Sequence, residues 1–209
     1  MPRATAARVS QRVLWHRPPG GELRWVQMVP EAPLDRTDTG LVPTSGGWFV
    51  INAREAQWRD SEGRAARLSF DGREEFFPQV GVSLYVLGPG EPIGMYHWEA
   101  DQEDFLVLAG EPILLIEGEE RPLREWDFVH CPPDTNHMIV GAADGRSVVL
   151  AIGAREHQEG EDWGGYEVDD VALRHGVGVE RQTNHPDEAY AGFPGREPVP
   201  YRQDWLPGL

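Results

Sequence analysis

The sequence predicts an all-β protein, built as either a β-sandwich or a β-barrel. Short apolar runs recur at roughly ten-residue spacing between residues 48 and 154. Turn signals separate these runs, and the chain has 24 glycines and 18 prolines among its 209 residues. No convincing helical periodicity interrupts the stretch. Many short strands joined by such turns are typical of sandwiches and barrels.

The first 47 residues predict an N-terminal arm and a connector. Residues 1–12 are polar, and we expect them to be loose. Two β-prone runs, VLWH and LRWVQMV, flank a Pro/Gly turn at residues 17–22 and predict a hairpin. Residues 30–47 are rich in turn residues and lack periodicity, which predicts a long connector.

Residues 48–154 form the predicted barrel. The strand candidates, in order along the chain, are WFVINA, RLSFD, REEFF, VGVSLYVL, GMYHWE, DFLVLA, PILLIEG, WDFVHC, HMIVGA and SVVLAIGA. No internal repeat divides the stretch, so a single barrel is expected rather than two.

Residues 155–209 predict a C-terminal extension that packs on the barrel or on a partner subunit. A short helix is expected from Asp169 to His175, with Asp169 at its start and Gly176 as its stop. The tail that follows carries aromatic residues among prolines and is too apolar for a simply disordered segment.

Charge and composition exclude several classes of function. The net charge of −16 disfavours nucleic acids and anionic membranes as partners. All 19 basic side chains are arginine, which excludes Schiff-base and Walker-lysine chemistry. No apolar run has the length of a membrane span, and no secretory signal is evident. The single cysteine, Cys131, cannot form an intrachain disulfide, so we expect a cytoplasmic protein.

Candidate metal ligands occur in two segments. His97 and Glu99 lie two residues apart on a predicted strand, so both can point to one side. Glu103 begins the next strand, and His137 follows a proline-rich turn further along. Taken alone, a strand histidine is more often an ordinary core or surface residue. Together, imidazole and carboxylate donors suit a divalent transition metal such as Zn, Fe, Mn or Ni.

These two segments resemble the conserved motifs of the cupins. The first motif, G-x5-H-x-H-x(3,4)-E-x6-G, is similar to the stretch that ends with Glu103, six residues and Gly110. The second motif, G-x5-P-x-G-x2-H-x3-N, is similar to the spacing of Trp126, Pro132 and His137. The resemblance covers about residues 48–154. It implies a cupin-like jelly-roll barrel, also called a double-stranded β-helix, with an N-terminal arm and a C-terminal tail that carries a short helix.

The first motif can be aligned in two registers. Counted from Gly90, Tyr96 and Trp98 occupy the two histidine positions and supply no ligand. Shifted by one residue, His97 and Glu99 occupy them. We favour the second register because it supplies metal donors.

In that register, the resemblance implies a metal site built from His97, Glu103 and His137. Glu99 stands where a histidine is usual, as a fourth ligand or as a base that transfers protons. Three protein ligands with open positions are typical of catalytic metal sites.

The resemblance leaves the chemistry open, because cupins include dioxygenases, decarboxylases, sugar isomerases, epimerases and non-catalytic binders. We predict a metal-dependent enzyme of the oxygenase or isomerase type that acts on a small molecule, with Glu99 as its catalytic residue. The alternative is a non-catalytic module in which the metal is structural or captures a ligand. The strands show no evident basic cluster, which argues against a phosphorylated sugar. An exposed strand edge and apolar arms predict a homodimer.

Several other residues are weaker candidates. His130 could face the cavity if its parity on the strand allows. Cys131 is expected to be a small buried hydrophobic residue rather than a nucleophile. Large aromatic residues that could line the pocket mouth, or simply fill the core, are Tyr85, Tyr96, Trp98 and Trp126.

Overall fold

The computed structural model describes the backbone of residues 13–16 and 24–27, together with residues 29–71, 77–158, 160 and 162–208. Its strands are β1 Val13–His16, β2 Arg24–Gln27, β3 Leu34–Thr37, β4 Gly40–Pro43, β5 Trp58–Ser61, β6 Arg64–Ser69, β7 Val80–Leu87, β8 Trp98–Glu99, β9 Glu103–Ala109, β10 Ile113–Ile116, β11 Glu119–Pro122, β12 Phe128–Cys131, β13 His137–Val140, β14 Ser147–Ala154, β15 Gly164–Gly165 and β16 Glu197–Val199. Two short helices, α1 Asp170–Arg174 and α2 Pro186–Ala189, lie in the C-terminal part of the chain. No helix in this described part is long and apolar enough to cross a membrane.

Two antiparallel sheets form the jelly-roll barrel that was predicted. The larger has seven strands in the order β12-β9-β14-β7-β6-β5-β16, and the smaller has three in the order β11-β10-β13. Because alternate residues of a strand face opposite sides, each sheet turns one apolar row inwards. The rows meet in a core that includes Phe105, Val107 and Val149 of the large sheet and Leu114 and Ile139 of the small one.

The outer face of the large sheet is covered by the C-terminal extension. Strand β16 pairs with β5, placing Val199 opposite Trp58. The Trp58 side chain is fully buried, and its ring centroid lies 5.0 Å from that of Trp205. Burying large aromatic rings removes much apolar surface from water. The extension therefore packs tightly against the barrel exterior.

Most predicted elements are present. The structure confirms the N-terminal hairpin (β1–β2), the strands at VGVSLYVL, DFLVLA, PILLIEG, WDFVHC, HMIVGA and SVVLAIGA, and the helix after Asp169, whose carboxylate accepts a hydrogen bond from the Ala172 amide. The predicted strand at GMYHWE is reduced to Trp98–Glu99 and single bridges. Predictions for residues 1–12 and for most of residues 73–77 fall outside the described residues.

Two predictions between residues 30 and 53 are wrong. The run WFVINA is not a strand, because the Asn52 side chain accepts from the Arg54 amide and its carbonyl accepts from Glu55, which turns the chain. Two of its apolar side chains face outwards, with Trp48 52% and Val50 80% exposed, while Ile51 packs against the core around Trp58. The supposed connector contains a hairpin, β3–β4, whose Gly40 has a φ of 132°. A Cβ there would lie 2.5 Å from the Ala56 backbone, so only glycine fits.

Candidate metal centre

Backbone pairing brings the two predicted histidines together. The His137 amide donates to the His97 carbonyl at 2.8 Å, and the His97 amide donates to the His137 carbonyl at 3.3 Å. This bridge joins the segment before β8 to the start of β13. The two rings lie side by side, with centroids 5.2 Å apart. Segments forty residues apart in the chain thus supply adjacent imidazoles.

Both imidazoles are oriented by backbone carbonyl groups. His97 Nδ1 lies 2.8 Å from the Met95 carbonyl oxygen, and His137 Nδ1 lies 2.9 Å from that of Thr135. A carbonyl oxygen only accepts, so each Nδ1 carries the proton that it donates. Each ring then turns Nε2 towards the barrel interior. A carbonyl partner at the distal nitrogen is the usual arrangement of a metal-ligating histidine.

Glu103, the first residue of β9, completes the cluster. Its Oε2 lies 3.0 Å from His137 Nε2 and 3.7 Å from His97 Nε2. One donor atom from each of the three residues lies within 4.8 Å of the other two. Gly153 of β14 pairs opposite Glu103, and a Cβ there would lie 3.3 Å from Oε1. The glycine leaves room for the carboxylate to turn inwards.

Burial and hydrogen bonding shift the pKa values of Glu103 and His137 in opposite directions. Burial favours the neutral form of the Glu103 carboxyl, but the His137 hydrogen bond and the charges of His137, His97 and Arg67 leave its pKa below the ordinary value. Burial lowers the pKa of His137, but hydrogen bonds to Cys131 and Glu103 raise it well above the usual range. The cluster therefore favours an ionised carboxylate beside a group that carries positive charge.

The donor set fits a divalent transition metal. With both Nδ1 atoms protonated, two Nε2 lone pairs face one carboxylate, an arrangement that is repulsive unless a proton or a cation lies between them. A cation held by His97, Glu103 and His137 would satisfy all three donors. Nitrogen and oxygen donors of this kind do not distinguish zinc from iron, manganese or nickel.

Glu99 lies beside this cluster rather than inside it. Its Oε1 is 3.3 Å from His97 Nε2, and its side chain is 26% exposed. Tyr96 points the opposite way, into the core beside Leu115 and Met138. The structure thus adopts the register in which His97 and Glu99 face the cavity. Whether Glu99 binds the metal stays a prediction.

A cavity of about 260 Å³ opens next to the three candidate ligands. Arg67, Arg155 and Tyr85 line it together with Glu99 and Glu103. The strands were expected to lack an evident basic cluster, but two arginines line this cavity. Arg67 and Arg155 lie far apart in the sequence and meet only because β6, β7 and β14 are neighbours.

The C-terminal extension supplies an aromatic wall that sequence reasoning missed. The Trp163 and Tyr166 rings lie 6.4 Å and 5.9 Å from the His97 ring. The Tyr190 hydroxyl accepts a hydrogen bond from the Met95 amide at 3.1 Å. The only local signal is Gly94, where a Cβ would lie 2.6 Å from the Tyr190 hydroxyl oxygen.

The remaining candidates divide between core and surface. His130 is half-exposed and pairs with Asp104 at 2.7 Å on the outer side of β9, away from the cavity. Cys131 is buried, as predicted. Of the aromatic candidates, only Tyr85 lines the cavity, while Trp126 is 71% exposed at a φ of 72°.

Comparison with known proteins identifies the barrel. Residues 83–153 match the family described as a cupin domain. No curated protein sequence gives a significant match. A sugar phosphate isomerase of the cupin superfamily from Silicibacter pomeroyi is 26% identical, with a TM-score of 0.40 over 46% of this chain and 61% of that one. This chain thus covers less than two thirds of that isomerase.

Other solved structures are similar over about half of the chain. KdgF from Halomonas sp. is 21% identical, with a TM-score of 0.41 over 49% of this chain and 90% of that one. A Cupin 2 conserved barrel domain protein from Salinispora arenicola is 19% identical, with a TM-score of 0.42 over 52% and 89%. The central part of the chain, residues 83–153, is therefore assigned to the cupin domain family.

Proposed function

We propose that this cupin is a metal-dependent enzyme that acts on a small molecule inside the barrel by proton transfer, as an isomerase does. The observation that carries the proposal is the convergence of His97 Nε2 and His137 Nε2 on the Glu103 carboxylate beside a cavity. A cation held there would supply Lewis acidity, polarising a carbonyl or hydroxyl oxygen of the substrate.

The chain's own residues have separate roles in this proposal. His97, Glu103 and His137 hold the cation. Glu99, which lines the cavity at the edge of the cluster, accepts or returns a proton at the substrate carbon next to the polarised oxygen. The cavity is small, at about 260 Å³, which suits a small metabolite rather than a polymer.

The aromatic wall limits access of water. Trp163 and Tyr190 line the cavity, and the Tyr166 ring is 3% exposed behind them. Burial raises the pKa of the Tyr190 hydroxyl, so the group stays neutral at physiological pH and holds its hydrogen bond to the Met95 amide. A neutral aromatic wall lowers the local dielectric and so strengthens the electrostatic interactions in the pocket.

An oxygenase is the second candidate, because two imidazoles and one carboxylate are the donor set of non-haem iron(II) oxygenases. The two are separated by measuring the metal content of protein purified without added metal, then incubating it with small sugars and hydroxy acids in D₂O. Deuterium incorporation without oxygen uptake supports the isomerase, and oxygen uptake by iron-loaded protein supports the oxygenase.

Glu99→Gln tests the catalytic assignment. We expect this variant to keep its metal and its fold but to lose turnover by about 100-fold or more, as is typical for loss of a general base. Protein with no bound metal, and with no change in stability on chelation, contradicts the proposal. Metal-loaded protein that binds a ligand of the panel without converting any of them would instead indicate a binding module.

A further inference from the structure

Arg67 extends from β6 into the wall of the metal pocket. It pairs with Tyr85 of β7, and its guanidinium lies 5.8 Å from the Tyr85 ring centroid. Its Nε donates to Ser83 Oγ at 3.2 Å. Because these contacts hold the stem and one edge of the guanidinium, the fork of terminal nitrogens has a defined direction.

The terminal nitrogens of that fork make no hydrogen bond and no salt bridge within the described part of the chain. Nε is the only nitrogen of Arg67 that makes a hydrogen bond there, and no described carboxylate lies within salt-bridge distance of it. The other arginine of the pocket, Arg155, differs, since its Nη2 lies 2.8 Å from Asp71 Oδ2. A half-buried guanidinium ordinarily has a carboxylate within hydrogen-bond distance. Arg67 instead attracts Glu103 only over a longer distance.

The sum of the charges around the cavity determines whether the cavity attracts an anion. Asp101 is matched by His157, whose Nδ1 lies 2.8 Å from Asp101 Oδ1. Glu99 and Glu103 contribute two negative charges, which a divalent cation in the cluster would balance. Arg67 then leaves an excess positive charge facing the cavity. An anionic group is attracted only when both the metal and Arg67 are present.

We propose that the molecule bound in this pocket carries a carboxylate or phosphate group, which the terminal nitrogens of Arg67 bind through two parallel hydrogen bonds. This inference rests on the proposed function, because it places the rest of the molecule against the metal and Glu99. The planar fork of arginine matches two oxygens of either group. Arg67 is then the residue that orients the substrate, and Ser83 orients Arg67.

The test uses zinc-loaded protein freed of unbound zinc, titrated calorimetrically with inorganic phosphate and separately with glycolate. Wild type should bind at least one of them, and Arg67→Gln should weaken that binding by about 10–100-fold, as expected for a charge-assisted contact. Phosphate alone would indicate a phosphate ester as substrate, and glycolate alone a carboxylic acid. Neither anion binding to wild type would overturn the inference.

Arg59→Gln is the matched control. Arg59 pairs opposite Arg67 on β5, is exposed, and does not line this cavity, so its loss removes the same charge from the same sheet. We expect its affinity to stay within about twofold of wild type. Equal losses in the two variants, or no loss in Arg67→Gln, would overturn the proposed contact.

A second variant covers the case in which Arg67→Gln fails to fold. Arg67→Lys keeps the charge but not the fork, and should bind several-fold more weakly than wild type. Wild-type affinity in Arg67→Lys overturns the two-point contact. Zinc stoichiometry, measured on the same samples, separates the two proposals. Loss of zinc from wild type refutes the metal enzyme, whereas bound zinc without Arg67-dependent anion binding refutes only this inference.

Discussion

Glu103→Gln removes the one carboxylate that both imidazoles approach, while keeping the shape of the side chain. Oε2 of Glu103 lies 3.0 Å and 3.7 Å from the two Nε2 atoms, so the substitution takes the only negative charge out of the cluster. Loss of a group that merely orients a ligating histidine costs about 10–100-fold in metal affinity. Loss of a ligand should cost at least about 100-fold, which corresponds to about 2.8 kcal/mol.

The assay is competition for zinc against a chromophoric chelator, with metal content measured on the same samples. Glu99→Gln is the control, because it removes the same charge from the edge of the cluster, 3.3 Å from His97 Nε2. Its affinity should fall by no more than about 10-fold, because Glu99 lies outside the three-residue cluster and the Met95 carbonyl orients His97. If Glu99→Gln loses zinc and Glu103→Gln keeps it, the assignment of ligands is wrong.

Loss of zinc affinity in Glu103→Gln should not result from unfolding of the variant. In the metal-free Glu103→Gln variant, the amide nitrogen of the introduced side chain can donate to His137 Nε2, because His137 Nδ1 keeps its proton for the Thr135 carbonyl. The change then exchanges a charge-assisted hydrogen bond for a neutral one. We expect a loss of about 1 kcal/mol in the free energy of unfolding, small enough for the variant to stay folded. Urea titrations of both variants in the presence of chelator check this point.

Three further predictions concern stability and assembly. Asp71→Asn should cost about 3 kcal/mol at pH 7 by leaving Arg155 without its ion pair to this carboxylate. Burial opposes ionisation of Asp71, but its hydrogen bonds hold the pKa of this carboxyl below the ordinary value. The stabilisation is therefore present above about pH 4 and is lost on acidification. Urea titrations at several pH values should show this loss. Gly94→Ala should lower the free energy of unfolding by about 1–3 kcal/mol, because its Cβ would clash with the Tyr190 hydroxyl. The loss should be smaller in a Tyr190→Phe background. Strictly additive effects in a double-mutant cycle would contradict the contact. If a homodimer forms along the edge strand β12, Phe128→Glu should give a monomer by sedimentation, since Phe128 is 64% exposed there; a monomeric wild type contradicts the assembly.

The barrel strands could be predicted because their pattern is local. Strands β7, β9 and β14 are short apolar runs because the large sheet buries side chains on both faces, and turn residues mark where each strand ends. The run from Trp48 to Ala53 failed for a different reason. Its apolar residues satisfy strand propensity, but the Asn52 side chain offers the backbone hydrogen bonds of a turn, and no neighbouring strand of the described chain competes for them.

The cluster of three candidate metal ligands was predictable for a similar reason. His97 and Glu103 lie on adjoining segments six residues apart, and a fixed motif spacing points to His137. The register choice between Tyr96 and His97 could be made on donor chemistry alone, and the structure agrees with it. Site chemistry set by local spacing can thus be inferred before the fold is known.

The residues that line the cavity outside the three candidate ligands could not be predicted from local spacing. Arg67 reaches the cavity only because β6 pairs with β7 in a register that aligns it with Tyr85, and Tyr190 arrives from an extension that the motifs do not describe. No sequence motif surrounds Arg67 or Tyr190, because their contacts depend on pairing between segments that are far apart in the chain. Strands and extensions can change such residues without disturbing His97 or His137. The fold alone does not determine the substrate, and the Arg67 variants test whether this residue contributes to that choice here.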